Sequence, residues 1–246
     1  MLSAAKSHRP YRSPVRQAQA RATRQRVVQA ANALFAERGY AATTIGAVAT
    51  RAKVSVPTVE SLFRTKSGLL KAAIDVAVAG DDEPEPRLGR EWARQVEKAT
   101  DAETVLSVVA AVLAPAQARS AGLVLSVFEG ATSGPELASL AARMTTQRAV
   151  MAAWLVERLS VLGALRDELD QDEATGTVFG LMEPALFDRL TRGLGWTLTH
   201  YEKWLARSLL HLLVADPPSP ELHRPEQGKG HVRGPLKRGL AGGGGK

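Results

Sequence analysis

The sequence predicts an all-α protein. Apolar residues recur at helical spacing along most of residues 21–214, and Gly, Pro or acidic residues separate these stretches. We find no run of alternating apolar and polar residues that would predict a half-buried strand, and no glycine-rich phosphate loop. The chain has 246 residues, of which 45% are hydrophobic, so it is long and apolar enough to bury a core.

The first predicted helix covers residues 21–40 and ends at Gly39, a residue type that is common just past a helix end. Three arginines, Arg21, Arg24 and Arg26, stand near its start, where the helix dipole disfavours a cation. We therefore expect them to serve something other than helix stability, and contact with phosphate is the simplest role. Its inward stripe comprises Val27, Ala30, Ala31, Leu34 and Phe35.

Residues 43–63 predict two short helices that meet at a tight turn. Ser55 is a good N-cap for the second helix, and Pro57 lies in its first turn, where a missing N–H costs little. The apolar stripes are Ile45, Val48 and Ala49 in the first helix and Val59, Leu62 and Phe63 in the second. The second helix then exposes a short face of mostly small residues that fits a DNA major groove: Val56, Pro57, Thr58, Glu60 and Ser61.

Taken together, residues 21–75 resemble the N-terminal domain of the TetR family of transcriptional repressors. The resemblance implies a dimeric, all-helical protein whose C-terminal helices bind a small molecule and form the dimer interface. It also implies phosphate contacts by Thr43, Thr44, Ser55, Lys66 and the arginines of the first helix. The matching residues are Phe35, Ala36, Gly39, Tyr40, Thr43, Thr44, Ile45, Val48, Ala49, Ala52, Val54, Ser55, Thr58, Phe63, Lys66, Leu69 and Leu70.

Four positions depart from the family pattern. Lys53 stands in the turn where glycine is usual, and a left-handed backbone there would cost a non-glycine residue roughly 1–2 kcal/mol. Val56 and Pro57 replace a usual basic residue and a glycine. Glu60 replaces a phosphate-contacting tyrosine, so we expect its carboxylate either to accept a hydrogen bond from a cytosine amino group or to pair with a basic residue such as Arg64.

Charge is distributed unevenly along the chain. The formal net charge of +7 combines +10 over residues 1–75, −7 over residues 76–216 and +4 over residues 217–246. The basic N-terminal part predicts a polyanionic partner, namely an operator in double-stranded DNA. Residues 1–20 read as a disordered basic arm, with phosphate contact and an inert tail as open alternatives, and residues 217–246 read as a disordered tail.

The helix-breaking residues after position 65 predict a second domain. A fourth helix covers residues 66–79, and the breaker at residues 80–86 places the boundary between a DNA-binding domain (21–80) and a ligand-binding and dimerisation domain (81–216). Further helices are predicted at about residues 88–99, 102–118, 120–130, 135–163 and 197–214. Pro115 should disturb the end of the helix at 102–118. One more helix follows the acidic connection at 167–173 and runs to about residue 186, with a possible break at Pro184.

Bulky side chains on the helices that line the ligand pocket in the family are candidate effector contacts. Carboxylates and an amide nearby supply the few polar groups that such a pocket needs, although a plain helical core explains the same residues. The candidates are Phe128, Glu129, Met144, Gln147, Met151, Trp154, Phe179, Met182 and Glu183. On the last helix, Trp204, Leu205, Leu209 and Leu212 are the candidate dimer contact, with intramolecular core as the alternative.

These observations favour a sequence-specific DNA-binding transcriptional regulator, a homodimeric repressor that a small molecule of unknown identity releases from its operator. The alternatives are a regulator controlled by a partner protein and a helical dimeric module that binds a ligand or a protein and has weak or no operator specificity. We expect no catalytic site, cofactor or metal, because no nucleophile or metal-ligand pattern is present and the chain has no cysteine. The longest strongly apolar stretch, about residues 105–114, is too short to span a bilayer, which favours a cytoplasmic location.

Overall fold

The computed structural model describes residues 14–81 and 89–215, and these residues are all-α as the sequence predicts. Predictions for residues 1–13, 82–88 and 216–246 lie outside the described residues. The ten α-helices are α1 Pro14–Ala42, α2 Ile45–Ala52, α3 Val56–Phe63, α4 Lys66–Ala79, α5 Glu91–Lys98, α6 Ala102–Gly130, α7 Pro135–Val161, α8 Gln171–Leu181, α9 Pro184–Asp188 and α10 Leu198–Leu213.

The first helix begins earlier than the sequence suggests. α1 starts at Pro14, so the prediction of a disordered arm was wrong for residues 14–20. Proline is well suited to the first position of a helix, because its missing N–H has no intrahelical partner there. The predicted stop at Gly39 is confirmed, since this residue has a non-helical φ of 73° within the range assigned to α1.

The central helix α6 runs without a break through Pro115, where the sequence predicted two helices. An interior proline removes one backbone hydrogen bond and costs about 3 kcal/mol. Apolar packing on both sides of the proline opposes that cost, because Ala110, Ala114, Ala116 and Ala121 are all buried. The proline alone predicts a helix end, whereas the tertiary contacts of α6 keep the helix continuous.

Other helix bounds follow the predictions closely. α4 has the predicted bounds and ends at Gly80, which takes a left-handed φ of 87°. The predicted break before Pro184 separates α8 from α9, and a π-helical turn at residues 189–193 follows α9. Thr197 caps α10 by accepting from the backbone N–H of His200 at 3.2 Å.

The buried side chains form two apolar clusters that share α6 and α7. One cluster joins α1–α4 to the C-terminal half of α6 and the N-terminal half of α7, for example through Val127 and Leu140. The other joins α5 and α8–α10 to the opposite halves of α6 and α7, for example through Val109 and Leu155. Each of these two long helices therefore touches both ends of the bundle. The division into domains at residues 80–86 stays a prediction.

By length and composition alone, α6 is apolar enough to cross a membrane. The prediction that the longest apolar stretch is too short was therefore wrong, because it stopped at Pro115. Half of the most apolar window of α6 is buried inside the protein, where α4, α9 and α10 pack against it. This is how the central helix of a helical bundle is expected to pack.

Candidate functional site

The two short helices α2 and α3 meet as a helix-turn-helix, in which the predicted cap of α3 at Ser55 is confirmed and α2 has a cap at Thr44 that was not predicted. The Thr44 hydroxyl accepts from the Ala47 backbone N–H at 3.1 Å, and the Ser55 hydroxyl accepts from the Thr58 N–H at 3.3 Å. Lys53 ends α2 with a left-handed backbone (φ 55°, ψ 50°), and its N–H points to the carbonyls of Ala49 and Thr50. The strained turn expected of this lysine is confirmed.

One face of α3 is buried and the other is open. Val59 is fully buried and Phe63 is 9% exposed, while Val56, Pro57, Glu60 and Ser61 are exposed. The predicted reading face therefore lies at the surface, with Thr58 half-buried beside Ser55 at 2.8 Å between hydroxyl oxygens.

Leu62 does not join the core of this domain. It is 38% exposed and lines an open groove between α3 and the N-terminal part of α1, where Ala20 and Thr23 lie. The prediction that Leu62 points inward was wrong. Helical spacing groups Leu62 with Val59 and Phe63, but in the structure its side chain faces the groove beside the first turns of α1.

Glu60 differs in its surroundings from the other two acidic residues of residues 1–75. Glu37 pairs with Arg51 at 2.8 Å, and Asp75 pairs with Lys71 one helical turn away. The Glu60 carboxylate forms no ion pair with Arg64 or any other residue that the structure describes; the Arg64 backbone N–H donates instead to the Glu60 backbone carbonyl at 2.8 Å. The proposed pair with Arg64 is therefore not formed, and the carboxylate stands on the exposed face.

The residues predicted to hold phosphates differ in their access to solvent. Thr44 and Ser55 are exposed. Arg24 is half-buried, with its guanidinium carbon 5.2 Å from the centre of the Phe63 ring at the end of α3. The prediction for the Thr43 side chain was wrong: it is 1% exposed, and its hydroxyl donates to buried backbone carbonyls at 2.8 and 3.1 Å.

Lys66 is held against the protein rather than extended into solvent. Its Nζ donates to the Ala41 carbonyl at 3.2 Å and lies 4.3 Å from the centre of the Tyr40 ring. Burial lowers the pKa of the Lys66 ammonium from its usual range. The side chain thus ties the start of α4 to the end of α1, and a phosphate contact at this position stays a prediction.

Two neighbouring cavities lie among α4, α6 and α7. The first cavity, of about 110 Å³, is bounded by α4 residues Lys71 and Asp75 and by α7 residues Arg148 and Met151. The second cavity, of about 140 Å³, extends towards α5, where Trp92 lies edge to face with Trp154 at 5.8 Å between ring centres. Both are bounded by Val78, Leu113, Ala116, Met151 and Met182.

Most of the sequence-predicted effector contacts lie on these walls. Phe128, Met144 and Gln147 line the first cavity, Trp154 lines the second, and Met151 and Met182 line both.

Three of the predicted contacts are elsewhere. Phe179 and Glu183 surround Arg148. The guanidinium carbon of Arg148 lies 4.1 Å from the centre of the Phe179 ring, and one of its terminal nitrogens lies 2.5 Å from a carboxylate oxygen of Glu183. Glu129 is exposed and lines a separate open groove beside Tyr40 and Glu136, so its predicted place in the pocket was wrong.

Sequence patterns missed a deeply buried polar group in the wall of the first cavity. Gln117 is 4% exposed, and its side-chain amide donates to the Met182 carbonyl at 2.9 Å and accepts from the Tyr201 hydroxyl at 2.7 Å. Burial raises the pKa of Tyr201, and the hydrogen bond to Gln117 opposes that rise. A lone glutamine inside an apolar helical stretch was the available signal, since such a residue needs partners when buried.

The predicted dimer contact is only partly available. Leu205 and Leu209 are fully buried in the core of their own chain, so their assignment to the dimer interface was wrong. Leu212 is 46% exposed and Trp204 is half-buried, with its ring 5.6 Å from that of Trp196. On α10, helical spacing identified the apolar stripe but not which partner covers it.

Comparisons with known proteins agree with this geometry. Residues 27–73 match the family model described as bacterial regulatory proteins, tetR family. No protein of curated function matches the chain by sequence.

Several solved structures share the fold. The fatty acid degradation regulator FadR from Bacillus halodurans is 21% identical over 76% of this chain and 94% of its own, with a TM-score of 0.60. A TetR-family regulator from Rhodococcus sp. is 17% identical over 78% of this chain and 99% of its own, with a TM-score of 0.61. The structure of SmeT in complex with triclosan is 18% identical over 79% of this chain and 93% of its own, with a TM-score of 0.61.

At these identities the structures establish the fold, while the matched segment, 27–73, coincides with the core of the helix-turn-helix described above. Residues 27–73 therefore form the helix-turn-helix domain of the tetR family of bacterial regulatory proteins, and the described chain has the fold of solved TetR-family regulators.

Proposed function

We propose that the protein is a homodimeric repressor that reads a roughly palindromic operator with α3 and leaves it when a small molecule fills the cavities against α4. The single observation that carries this proposal is the position of α4. It begins at Lys66, three residues after α3 ends, and its later residues Lys71, Ile74 and Val78 line the first cavity. One helix therefore touches both the reading head and the effector site.

The reading face of α3 supports contact with base edges. Its exposed side chains are short or apolar, and Glu60 is the charged group among them. A carboxylate suits a cytosine amino group, which is a donor in the major groove, and Val56 suits a thymine methyl group. Arg24, Thr44 and Ser55 flank this face and would position it by phosphate contacts.

Contacts at both ends of α4 support a coupling between effector and operator. At its start, the Ser67 hydroxyl lies 2.7 Å from the Glu136 carboxylate of α7. At its end, the Arg119 guanidinium of α6 donates to the carbonyls of Ala77 and Val78 at 2.7 and 3.2 Å. A ligand that separates α6 or α7 from α4 would shift both anchors and, through them, α3. Such a shift requires a ligand with different affinities for the two arrangements.

A dimer supplies two copies of α3 to successive major grooves. Exposed apolar side chains near both ends of α10 support an interface there: Leu194 is 68% exposed, Leu212 46% and Val161, at the end of α7, 67%. Together with Trp204 they replace the buried leucines of the sequence-based prediction.

The proposal is tested with two matched serine substitutions. Ser61 lies on the reading face of α3, and Ser107 lies on an exposed position of α6. Ser61→Asp should abolish binding to a duplex enriched from random sequences while sparing thermal stability, and Ser107→Asp adds the same charge without affecting binding. Equal affinities of the two variants in fluorescence anisotropy would mean that α3 does not read the DNA.

Effector release is a separate test. A compound that raises the melting temperature by filling the cavities should also lower the operator affinity. If every such compound leaves the operator affinity unchanged, the cavities do not control DNA binding.

A further inference from the structure

The charged side chains that line the two cavities are mostly basic. Five are cations and one, Asp75, is an anion; the cations are Lys71, Arg90, Arg119, Arg143 and Arg148. Four of the five come from residues 76–216, a region with 13 Lys/Arg against 20 Asp/Glu. Basic residues are thus concentrated on the cavity walls, although acidic residues outnumber basic ones in residues 76–216 as a whole.

Ion pairs offset only part of this charge. Lys71 pairs with Asp75, Arg90 pairs with Asp81 at 2.7 Å, and Arg148 pairs with Glu183. Arg119 and Arg143 instead donate to neutral oxygens, the Ala77 carbonyl and the Ser139 hydroxyl, each at 2.7 Å. Among the described residues the cavity walls therefore keep a positive excess.

Arg148 is the basic residue best placed to meet a ligand inside the first cavity. Its side chain is 16% exposed, and its guanidinium carbon lies 4.1 Å from the centre of the Phe179 ring. Its Nε–H is buried and finds no acceptor among the described residues. A buried guanidinium donor requires an acceptor, and a carboxylate is the acceptor that its planar fork fits best.

The far side of the cavities is mostly apolar, and its two cations already have partners: Arg90 pairs with Asp81, and Arg119 donates to carbonyls of α4. The second cavity ends at Trp92 and Trp154, and two methionines, Met151 and Met182, stand on the wall shared with the first cavity. Methionine side chains are flexible and adapt to irregular ligands. A slender chain that displaces them would run from Arg148 through both cavities to the two tryptophans.

We infer that the effector is an apolar molecule with a single anionic head group, of the class of medium-chain carboxylates. The head group lies between Arg148 and the rim residue Arg143, and the alkyl tail passes Met151 and Met182 towards Trp92. This assignment deepens the proposed function, because it names the chemical class of the effector of that same site.

Three probes with the same alkyl tail and different head groups test the inference: decanoate, decanol and decyltrimethylammonium, each below its micelle concentration. Binding to the full-length protein is measured by isothermal titration calorimetry without DNA. Decanoate should bind at least about tenfold more tightly than decanol, and decyltrimethylammonium should bind most weakly. Equal affinities for decanoate and decanol, or tighter binding of the cation, would overturn the assignment.

Substitutions locate the head group. Arg148→Gln should weaken decanoate binding about tenfold and leave decanol binding unchanged, because only the charged head loses its partner. Arg207→Gln, at an exposed position of α10, is the matched control and should change neither. If Arg148→Gln does not fold, the exposed rim variant Arg143→Gln provides the same comparison, and an unchanged ratio of decanoate to decanol affinity there would contradict the model.

Operator binding separates this inference from the proposed function. Decanoate that binds without releasing DNA would retain the ligand class and refute the coupling through α4. A failure of decanoate to bind, together with release by a compound of another class, would refute the ligand class and retain the regulator.

Discussion

Two non-glycine residues of the described chain have a positive φ, and both flank the reading helix. Lys53 (φ 55°) ends α2, and Arg64 (φ 63°, ψ −51°) ends α3. At Arg64 the Thr65 N–H bonds back to the Phe63 carbonyl at 2.7 Å, which makes a three-residue γ-turn of the rare positive-φ type. Both strained positions carry a basic side chain beside α3, where it would meet the phosphate backbone in the proposed complex with DNA.

Lys53→Gly should stabilise the protein by about 1 kcal/mol, because glycine adopts the left-handed conformation without the steric cost. In a chain of this size the melting temperature should rise by about 2–4 °C. Lys53→Ala is the control, since it removes the same charge and keeps the strain. Equal melting temperatures for the two variants would show that the turn stores no strain.

Glu60→Gln distinguishes reading from repulsion. The exposed carboxylate without an ion pair in the described structure favours contact with a cytosine, so the variant should bind the cognate duplex more weakly and lose its preference at one base pair, at a cost of about 1–3 kcal/mol. Affinities are measured on the cognate duplex and on duplexes substituted at each position. A uniform gain in affinity for all sequences would instead indicate that Glu60 repels phosphates.

At the scale of elements, α4 is fixed by groups from two other helices. Arg119→Met removes the donors to the Ala77 and Val78 carbonyls, so chemical unfolding should show a loss of about 1–2 kcal/mol. Arg119→Lys keeps the charge and one donor group, and should restore part of the loss. Equal stabilities of the wild type and both variants would mean that this contact does not hold α4.

The Tyr201 hydroxyl ties α10 to α6 and gives the fold a pH dependence. Because burial raises its pKa above the unfolded value of about 10, its stabilising contribution is complete below pH 10 and is lost as the pH rises towards the folded pKa. The melting temperature of the wild type should fall more steeply than that of Tyr201→Phe between about pH 9 and pH 11. Parallel curves would contradict this assignment.

Local patterns predicted the elements whose ends are set by local chemistry. The cap at Ser55 and the stops at Gly39 and Gly80 lie in the structure as the sequence implies, because each depends on a few neighbouring backbone groups. The continuity of α6 through Pro115 was missed, because packing from distant parts of the chain decides it.

The candidate sites divide in the same way. Spacing placed Met151 and Met182 near the cavities but could not find Arg148 or Gln117, whose roles depend on partners far along the chain. Leu205 and Leu209 were misassigned for the same reason, since a helical stripe does not say whether its own chain or another covers it.

For the whole molecule, charge and topology act in one direction. The +10 charge of residues 1–75 should draw the helix-turn-helix to DNA, whereas the −7 charge of residues 76–216 should be repelled by it. α6 and α7 pack against the helix-turn-helix domain and also line the two cavities, so under the proposed function these helices would carry a change from one end to the other. Association with DNA should therefore weaken with salt, while the sequence preference persists.

The most direct test of sequence-specific DNA reading by a dimer is selection of random duplex DNA by the purified full-length protein at two salt concentrations. We expect enrichment of a palindromic motif at both concentrations, with half-site centres about one helical turn or a multiple of it apart. Recovery of no motif, with binding that disappears at the higher salt concentration, would contradict it, because only the basic charge of the N-terminal region would then hold the DNA.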